Sequence, residues 1–380
     1  MLSRKVSKKT YLTWGKLTDT ILRYMSQAEG TGGRVHSEKS PLNKGIRVVH
    51  NSDRLRILTG RSNPGLAEET AALLGIPSYQ SIMEFPGEEV IAQIPVSVRK
   101  RDVFIIQPTS PPRTNTYHME LCFMIDAVAR ASANEITAIA PWLGYSRQDR
   151  QTDQQNKDAP RESISSKVVI DQIFNAGAHR LQTVDVHADQ ETGFVSYPFD
   201  NLYASSVLVP RIQKELPMGN LVTLSPDFGG AKRAKKYKQF LEACGVAVGF
   251  KERMPGGTVE TYDLLGSVEG SDVLIIDDVL ASGESAENAA VLAYQKGANS
   301  VSFACTHGLF LEKKGIACLD RLLNAGVRKI FVTNTIKLRP EILASDKVVE
   351  VSVAPLLARS ILAVHTGKPI HDLVLPNNAK

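Results

Sequence analysis

From about Gly45 onward, short uninterrupted apolar runs alternate with longer stretches whose apolar residues recur every three to four positions. A run of the first kind reads as a strand buried on both faces, and a stretch of the second as a helix packed on it. Strands are therefore expected at Ile57–Thr59, Val103–Gln107, Ile136–Ala140, Leu181–Val186 and Leu221–Ser225. Helices are expected at Leu66–Leu74, Tyr117–Ala131, Ser163–Asn175 and Ala231–Cys244. The clearest unit is Asp272-Val-Leu-Ile-Ile-Asp277-Asp278, an apolar run ending on two acids. A turn of small residues, Ala281-Ser282-Gly283, and an Ala/Glu-rich helix over Glu284–Gln295 follow it. Strand–helix alternation of this kind predicts an α/β protein with mainly parallel sheets flanked by helices.

The same order of elements occurs twice. Asp102-Val-Phe-Ile-Ile-Gln-Pro-Thr echoes Asp272-Val-Leu-Ile-Ile-Asp-Asp-Val, Ala133-Asn-Glu-Ile-Thr echoes Ala298-Asn-Ser-Val-Ser, and Ala176-Gly-Ala-His-Arg echoes Ala325-Gly-Val-Arg-Lys. Successive echoes lie 31 and 43 residues apart in the first half but 26 and 27 in the second, which places an insertion in the polar stretch Tyr145–Glu162. The expectation is a duplicated domain in which only the second copy keeps the diacid turn. The first copy has Gln107-Pro108-Thr109-Ser110 there.

Composition narrows the classes. A chain of 380 residues accommodates two domains with sizeable cores. No apolar run approaches the roughly 20 residues of a membrane span, so no membrane partner is expected. Cys122, Cys244, Cys305 and Cys318 show no metal-ligand spacing and read as buried free thiols of a reducing, cytoplasmic setting. The formal charge of +5 resides at one end: residues 1–44 hold nine Lys/Arg and three Asp/Glu, leaving the other 336 residues at −1. A nucleic-acid surface over the main body is therefore not expected. That basic, acid-poor segment reads as a flexible extension, a docking helix or an organelle-targeting peptide.

Candidate chemistry gathers at expected strand ends, where open α/β sheets bind ligands. The turn at 281–285 offers backbone N–H groups at a helix start to a phosphate, and Asp277 and Asp278 suit hydroxyls or a metal. Arg147-Gln148-Asp149 carries a guanidinium fork and an amide suited to phosphate oxygens and a base edge. His187 ends the strand Leu181–Val186; a lone His there more often serves as a structural hydrogen bonder than as a ligand. Asp227 ends another, ahead of Gly229-Gly230, and the pair could share a divalent cation. Lys251-Glu-Arg253-Met-Pro-Gly-Gly puts two cations at the base of a glycine-rich loop.

Taken together the segments Phe104-Ile-Ile-Gln-Pro-Thr-Ser, Gly144-Tyr-Ser-Arg-Gln-Asp-Arg, Val184-Asp-Val-His-Ala, Pro198-Phe-Asp-Asn-Leu-Tyr-Ala, Ser225-Pro-Asp-Phe-Gly-Gly, Ile276-Asp-Asp, Thr306-His-Gly and Val332-Thr-Asn-Thr-Ile resemble the ribose-phosphate diphosphokinases, or PRPP synthetases, over about 56–371. The resemblance implies two tandem phosphoribosyltransferase-like domains, 45–202 plus 354–380 on the ATP side and 203–353 on the ribose 5-phosphate side. It also implies transfer of the diphosphoryl group of ATP to the 1-hydroxyl of ribose 5-phosphate, with Mg²⁺, in a dimer-based, hexamer-forming homo-oligomer. Inorganic phosphate would be an activator. Phe85, Gly87, Glu89, Arg147, Gln148 and Asp149 would take ATP, the first three across a subunit interface. His187 and Asp227 would hold Mg²⁺, Lys251 and Arg253 would stabilise the transferring group with His187 beside them, and Asp277, Asp278, Ala281, Ser282, Gly283, Glu284 and Ser285 would bind the sugar phosphate.

There are departures. Ala281-Ser-Gly-Glu284-Ser285 stands where Asp-Thr-x-Gly-Thr is usual, placing a carboxylate beside the phosphate position, and Gly87 loses a side-chain contact. The loop after Asp149 is about six residues longer, and Lys368-Pro-Ile-His-Asp replaces the segment linked to allosteric control. The altered turn keeps open a second reading, a catalytically weak regulatory paralogue that assembles with an active synthetase. A third, an ordinary phosphoribosyltransferase with an extra module, sits poorly with a repeat spanning nearly the whole chain.

Overall fold

Runs such as Leu55-Arg-Ile-Leu-Thr and Asp102-Val-Phe-Ile-Ile are rich in the branched and aromatic side chains that pack well on a pleated surface. In the computed structural model, which describes residues 54–87, 89–151, 161–253, 260–311 and 315–370 but not the side chains of 251–253 and 260–261, each becomes a central strand. The first half contains β1 (Leu55–Thr59), α1 (Pro64–Leu74), β2 (Ser78–Gln80), a hairpin of β3 (Ile82–Glu84) and β4 (Val90–Ala92), then β5 (Asp102–Ile106), α2 (Thr114–Arg130), β6 (Glu135–Ile139), α3 (Ser165–Asn175), β7 (Arg180–Val184) and β8 (Phe199–Leu202). The second contains α4 (Ser205–Glu215), β9 (Leu221–Ser225), α5 (Ala231–Leu241), β10 (Gly245–Arg253), β11 (Glu260–Leu265), β12 (Asp272–Leu280), α6 (Glu284–Gln295), β13 (Ser300–Gly308), α7 (Ile316–Asn324), β14 (Val327–Thr333), α8 (Pro340–Leu343), β15 (Val348–Val351) and α9 (Ala354–His365).

Strand order in the first sheet is β2-β1-β5-β6-β7-β8, all parallel, and in the second β11-β10-β9-β12-β13-β14-β15, parallel except for β11. The sequence echoes fall on equivalent places: β5 and β12 lie third and fourth in their sheets, and the second and third echoes lead into β6 and β13, then β7 and β14. The duplication is thus a duplication of topology.

Among the described residues, three large apolar clusters hold the layers together. One packs α2 and α3 on the first sheet, and one packs α6 and α7 on the second. The third is shared: Leu66, Leu74, Leu208, Ile212, Leu241, Leu357 and Ile361 from α1, α4, α5 and α9 lie among Phe104, Ile276 and Phe331 of both sheets. The helix α9, last among the described residues, therefore returns to pack against α1 of the first half, and His365 Nδ1 lies 2.7 Å from Asp102 Oδ2.

Three details differ from the pattern read along the chain. The strand carrying the diacid does not stop before it: β12 continues to Leu280, paired as far as Leu280↔Gly308. The β3–β4 hairpin and β8 carry no run long enough to show a period. Cys122, Cys305 and Cys318 are buried thiols outside any disulfide, as expected, whereas Cys244 is exposed.

Candidate active site

The carboxyl ends of the two sheets approach each other, and two of the groups singled out at strand ends, His187 and the diacid, meet there. His187, after β7, places Nδ1 2.7 Å from Asp278 Oδ2 on β12. Arg233 of α5 lies 3.3 Å from Asp278 Oδ1 and 3.9 Å from Asp277 Oδ1. Two adjacent buried acids repel one another and resist desolvation. Accordingly Asp277 is held well above the ordinary carboxylate range by burial and by Asp278. Burial acts the same way on Asp278, but the His187 hydrogen bond and the Arg233 charge outweigh it and hold that carboxyl below the ordinary range. The Asp278 bond raises His187 above the usual imidazole value. The cluster thus carries one firmly ionised acid, one protonation-prone acid, an imidazolium-favouring His and a guanidinium.

Around it a second network joins the halves. Asp185, in the left-handed region at φ 44°, accepts from Thr306 Oγ1 at 2.5 Å and from the Ala204 N–H at 3.1 Å. Burial pushes its carboxyl up, opposed by the Thr306 bond. His307 places Nε2 3.2 Å from the Asp185 carbonyl and Nδ1 2.9 Å from Thr335 Oγ1, and burial pushes it down to about 4. Trp142 meets His307 edge-on at 4.7 Å and packs with Leu309, Ile336, Val279 and Ala281 below the small-residue turn. A pocket of about 330 Å³ opens beside this junction, lined among others by Asp185, His187, Tyr203, Lys232, Arg233 and Lys236.

The turn Ala281–Ser285 starts α6 as expected. Gly283, at φ 85°, is the N-cap; a Cβ there would also stand 2.7 Å from Leu322 Cδ1, so only glycine fits without displacement. Glu284 is exposed at the first position of the helix. Asp227 is exposed in the turn after β9; its Oδ1 accepts the Gly230 N–H at 2.9 Å, and Tyr262 of β11 donates to the Pro226 carbonyl at 2.6 Å. The turn is thereby fixed to the β10–β11 ribbon, whose backbone includes Lys251 and Arg253, paired with Tyr262 and Glu260. Residues 254–259 and the Lys251 and Arg253 side chains lie outside the described ones.

The remaining candidates stand at the periphery. Arg147 and Gln148 are exposed, and the charges of Asp149 and Arg147 act on His187. Phe85 is 44% exposed at the hairpin tip, where its N–H donates to the Glu89 carbonyl at 2.8 Å and Gly87 takes φ 94°. It does not line the pocket beside His187. Glu84 anchors that hairpin through Arg61 and, at 3.2 Å, Arg113; Arg61 in turn bonds the fully buried Glu120 at 2.7 Å.

Among the described residues no group of three or more His, Cys, Asp or Glu surrounds a single point. Asp227 faces solvent and the second ring nitrogen of His187 is not the one bonded to Asp278, so each can offer a ligand to a cation that keeps several waters. Arg233, which neutralises the diacid, and Glu191, described below, were not singled out from the sequence. A signal for Arg233 existed in Gly229-Gly-Ala-Lys-Arg, where a helix start carries cations behind an acid-bearing turn.

The chain is similar to known proteins in both halves. Residues 55–177 match the N-terminal domain of ribose phosphate pyrophosphokinase, and residues 248–374 match a phosphoribosyl synthetase-associated domain. The ribose-phosphate pyrophosphokinase of Maricaulis maris is 38% identical over 320 residues, 84% of this chain and 99% of that one. Ribose-phosphate pyrophosphokinase 1, chloroplastic, of Oryza sativa subsp. japonica is 36% identical over 319 residues, 83% of this chain and 78% of that one. The crystal structure of phosphoribosylpyrophosphate synthetase from Mycobacterium smegmatis has a TM-score of 0.75 and 32% identity, covering 83% of this chain and 99% of that one.

Proposed function

This chain belongs to the ribose-phosphate pyrophosphokinase family, with that family's two phosphoribosyltransferase-like domains, and we propose that it transfers the diphosphoryl group of ATP to the 1-hydroxyl of ribose 5-phosphate, giving PRPP and AMP. The observation that carries the proposal is the 2.7 Å contact between His187 of the first half and Asp278 of the second. It brings a residue expected on the nucleotide side within reach of the acids expected to take the sugar. We infer that the domains are divided as 45–202 with 354–380, and 203–353.

In this reading Asp277 and Asp278 accept hydrogen bonds from the ribose hydroxyls, and Arg233 keeps the pair from repelling the substrate. The 281–285 turn presents backbone N–H groups and the start of α6 to the 5-phosphate. Arg147, Gln148 and Asp149 hold the nucleotide, with Phe85, Gly87 and Glu89 supplied by a neighbouring copy in a homo-oligomer; the exposure of Phe85 supports that assignment. His187, once its second ring nitrogen gives up its proton, and Asp227 would hold Mg²⁺, which would neutralise triphosphate charge. Lys251 and Arg253, at the end of β10, face the negative charge that develops on the transferring group. Such catalysis consists of positioning and electrostatics, with little covalent work for side chains.

The exposed Glu284 at the start of α6 favours a second reading, a regulatory paralogue with weak turnover, because a carboxylate there opposes phosphate binding. A coupled assay for AMP release from ATP and ribose 5-phosphate, with Mg²⁺ and inorganic phosphate present, separates the two. Steady AMP formation is expected; none from the purified chain, with stimulation of an active synthetase on mixing, establishes the second.

No helix among the described residues is long and apolar enough to cross a membrane. The rice relative is called chloroplastic, and we infer that the basic residues 1–44, which lie outside the described ones, act as an organelle address. Fusing them to a fluorescent protein tests this: organellar fluorescence is expected, and diffuse cytoplasmic fluorescence refutes it.

A further inference from the structure

Glu191 has no part in that chemistry, yet it is a carboxylate with no exposed surface. It sits in the short 3-10 turn Asp189–Gly193, where Ser166 donates its hydroxyl to Oε2 and the Ala188 N–H donates to Oε1 at 3.2 Å. Ser166, equally buried in the first turn of α3, also donates its backbone N–H to the Gln148 carbonyl at 3.2 Å. Ala188 directly follows His187. A continuous line of hydrogen bonds thus runs from the Arg147–Asp149 segment, through Ser166 and Glu191, to the residue beside His187. An apolar side chain would fill the space without the desolvation cost of a carboxylate, so this polar link is expensive as mere packing.

Resting on the function proposed above, we propose that Glu191 is a positioning residue, tying the Arg147–Asp149 segment to the His187 turn so that both ends of the nucleotide are set in one register. The ribose 5-phosphate elements, β12 and the 281–285 turn, receive no bond from it. Its loss therefore falls on the nucleotide and spares the sugar.

The test uses the full chain with a non-transferable methylene analogue of ATP and Mg²⁺ in calorimetric titration, with steady-state kinetics alongside. Glu191→Ala is expected to weaken analogue binding and raise the KM for ATP about tenfold, the loss typical of two ordinary hydrogen bonds. The KM for ribose 5-phosphate should stay within about twofold. Glu191→Gln keeps an acceptor for Ala188 and a polar partner for Ser166, and is expected to restore most of the affinity. Equal losses for both substrates, a fall in kcat alone, or a Gln variant no better than Ala overturns the role. Should Glu191→Ala fail to fold by thermal melting, Ser166→Ala decides: weaker analogue binding supports the link, and unchanged binding refutes it. A wild type that binds analogue but releases no AMP refutes the proposed function and leaves the titrations to judge Glu191. Normal AMP release with unchanged analogue binding in both variants refutes the Glu191 role alone.

Discussion

Asp277 and Asp278 illustrate how a residue's role follows from its neighbours. The acids are adjacent in sequence, but His187 and Arg233 hold Asp278 ionised while burial and Asp278 hold Asp277 up. Asp277→Asn should raise the KM for ribose 5-phosphate several-fold, since hydrogen bonds to an uncharged acceptor are worth roughly 0.5–1.5 kcal/mol; steady-state kinetics with the sugar varied measures it, and an unchanged KM removes Asp277 from the sugar site. Glu191 makes a different prediction. Burial, opposed by the Ser166 and Ala188 bonds, pushes its carboxyl up to about 7 from an ordinary 4.5. The folded chain then keeps a proton that the unfolded chain releases, so the group's contribution is full below about pH 4.5 and is lost as pH rises to about 7, worth roughly 3 kcal/mol across that window. Thermal melting against pH should therefore fall less steeply for Glu191→Gln than for wild type between those limits, and parallel curves refute it. The diacid, Asp227 and His187 were legible because each closes an apolar run. Arg233 and Glu191 were not, because their meaning lies in partners distant along the chain.

At the scale of elements, long runs predicted themselves: β9 and α6 coincide with the stretches the pattern marks. The short strands did not, because three residues of β3 or β4 carry no period to read and are held by pairing and by the Arg61–Glu84–Arg113 contacts. The extension of β12 past the acids was likewise hidden, since polar residues interrupt a pattern that pairing with β13 continues. Gly283 is the element-scale test. Gly283→Ala meets a positive φ and Leu322 together, and should destabilise the fold by about 1–3 kcal/mol while raising the KM for ribose 5-phosphate. Denaturant unfolding and kinetics measure the two effects, and a stable variant with unchanged KM separates this turn from the sugar phosphate.

For the whole molecule, the duplication was legible as three echoes in fixed order, whereas the shared helical layer between the sheets was not, because amphipathic spacing does not say which sheet a helix covers. Lys251→Ala should lower kcat about 10²–10³-fold with little change in the KM for ATP, as expected of a group that acts on transition-state charge; comparable losses in both place Lys251 in ground-state binding instead. Phe85→Ala and Lys251→Ala chains, each weakly active alone, should recover turnover when co-expressed if Phe85 serves a neighbouring copy's site; additive residual activity confines each site to one copy. The return of α9 to α1 bears on how the molecule is made. A ribosome emits β1 and α1 well before α9, so the first half waits, with part of its apolar face uncovered, until α9 follows, while the strands from β9 to β15 all precede it. Released chains truncated before Ala354 should accordingly resist protease in the second half and be cut in the first, which makes the half that carries β1 and α1 the last to become native.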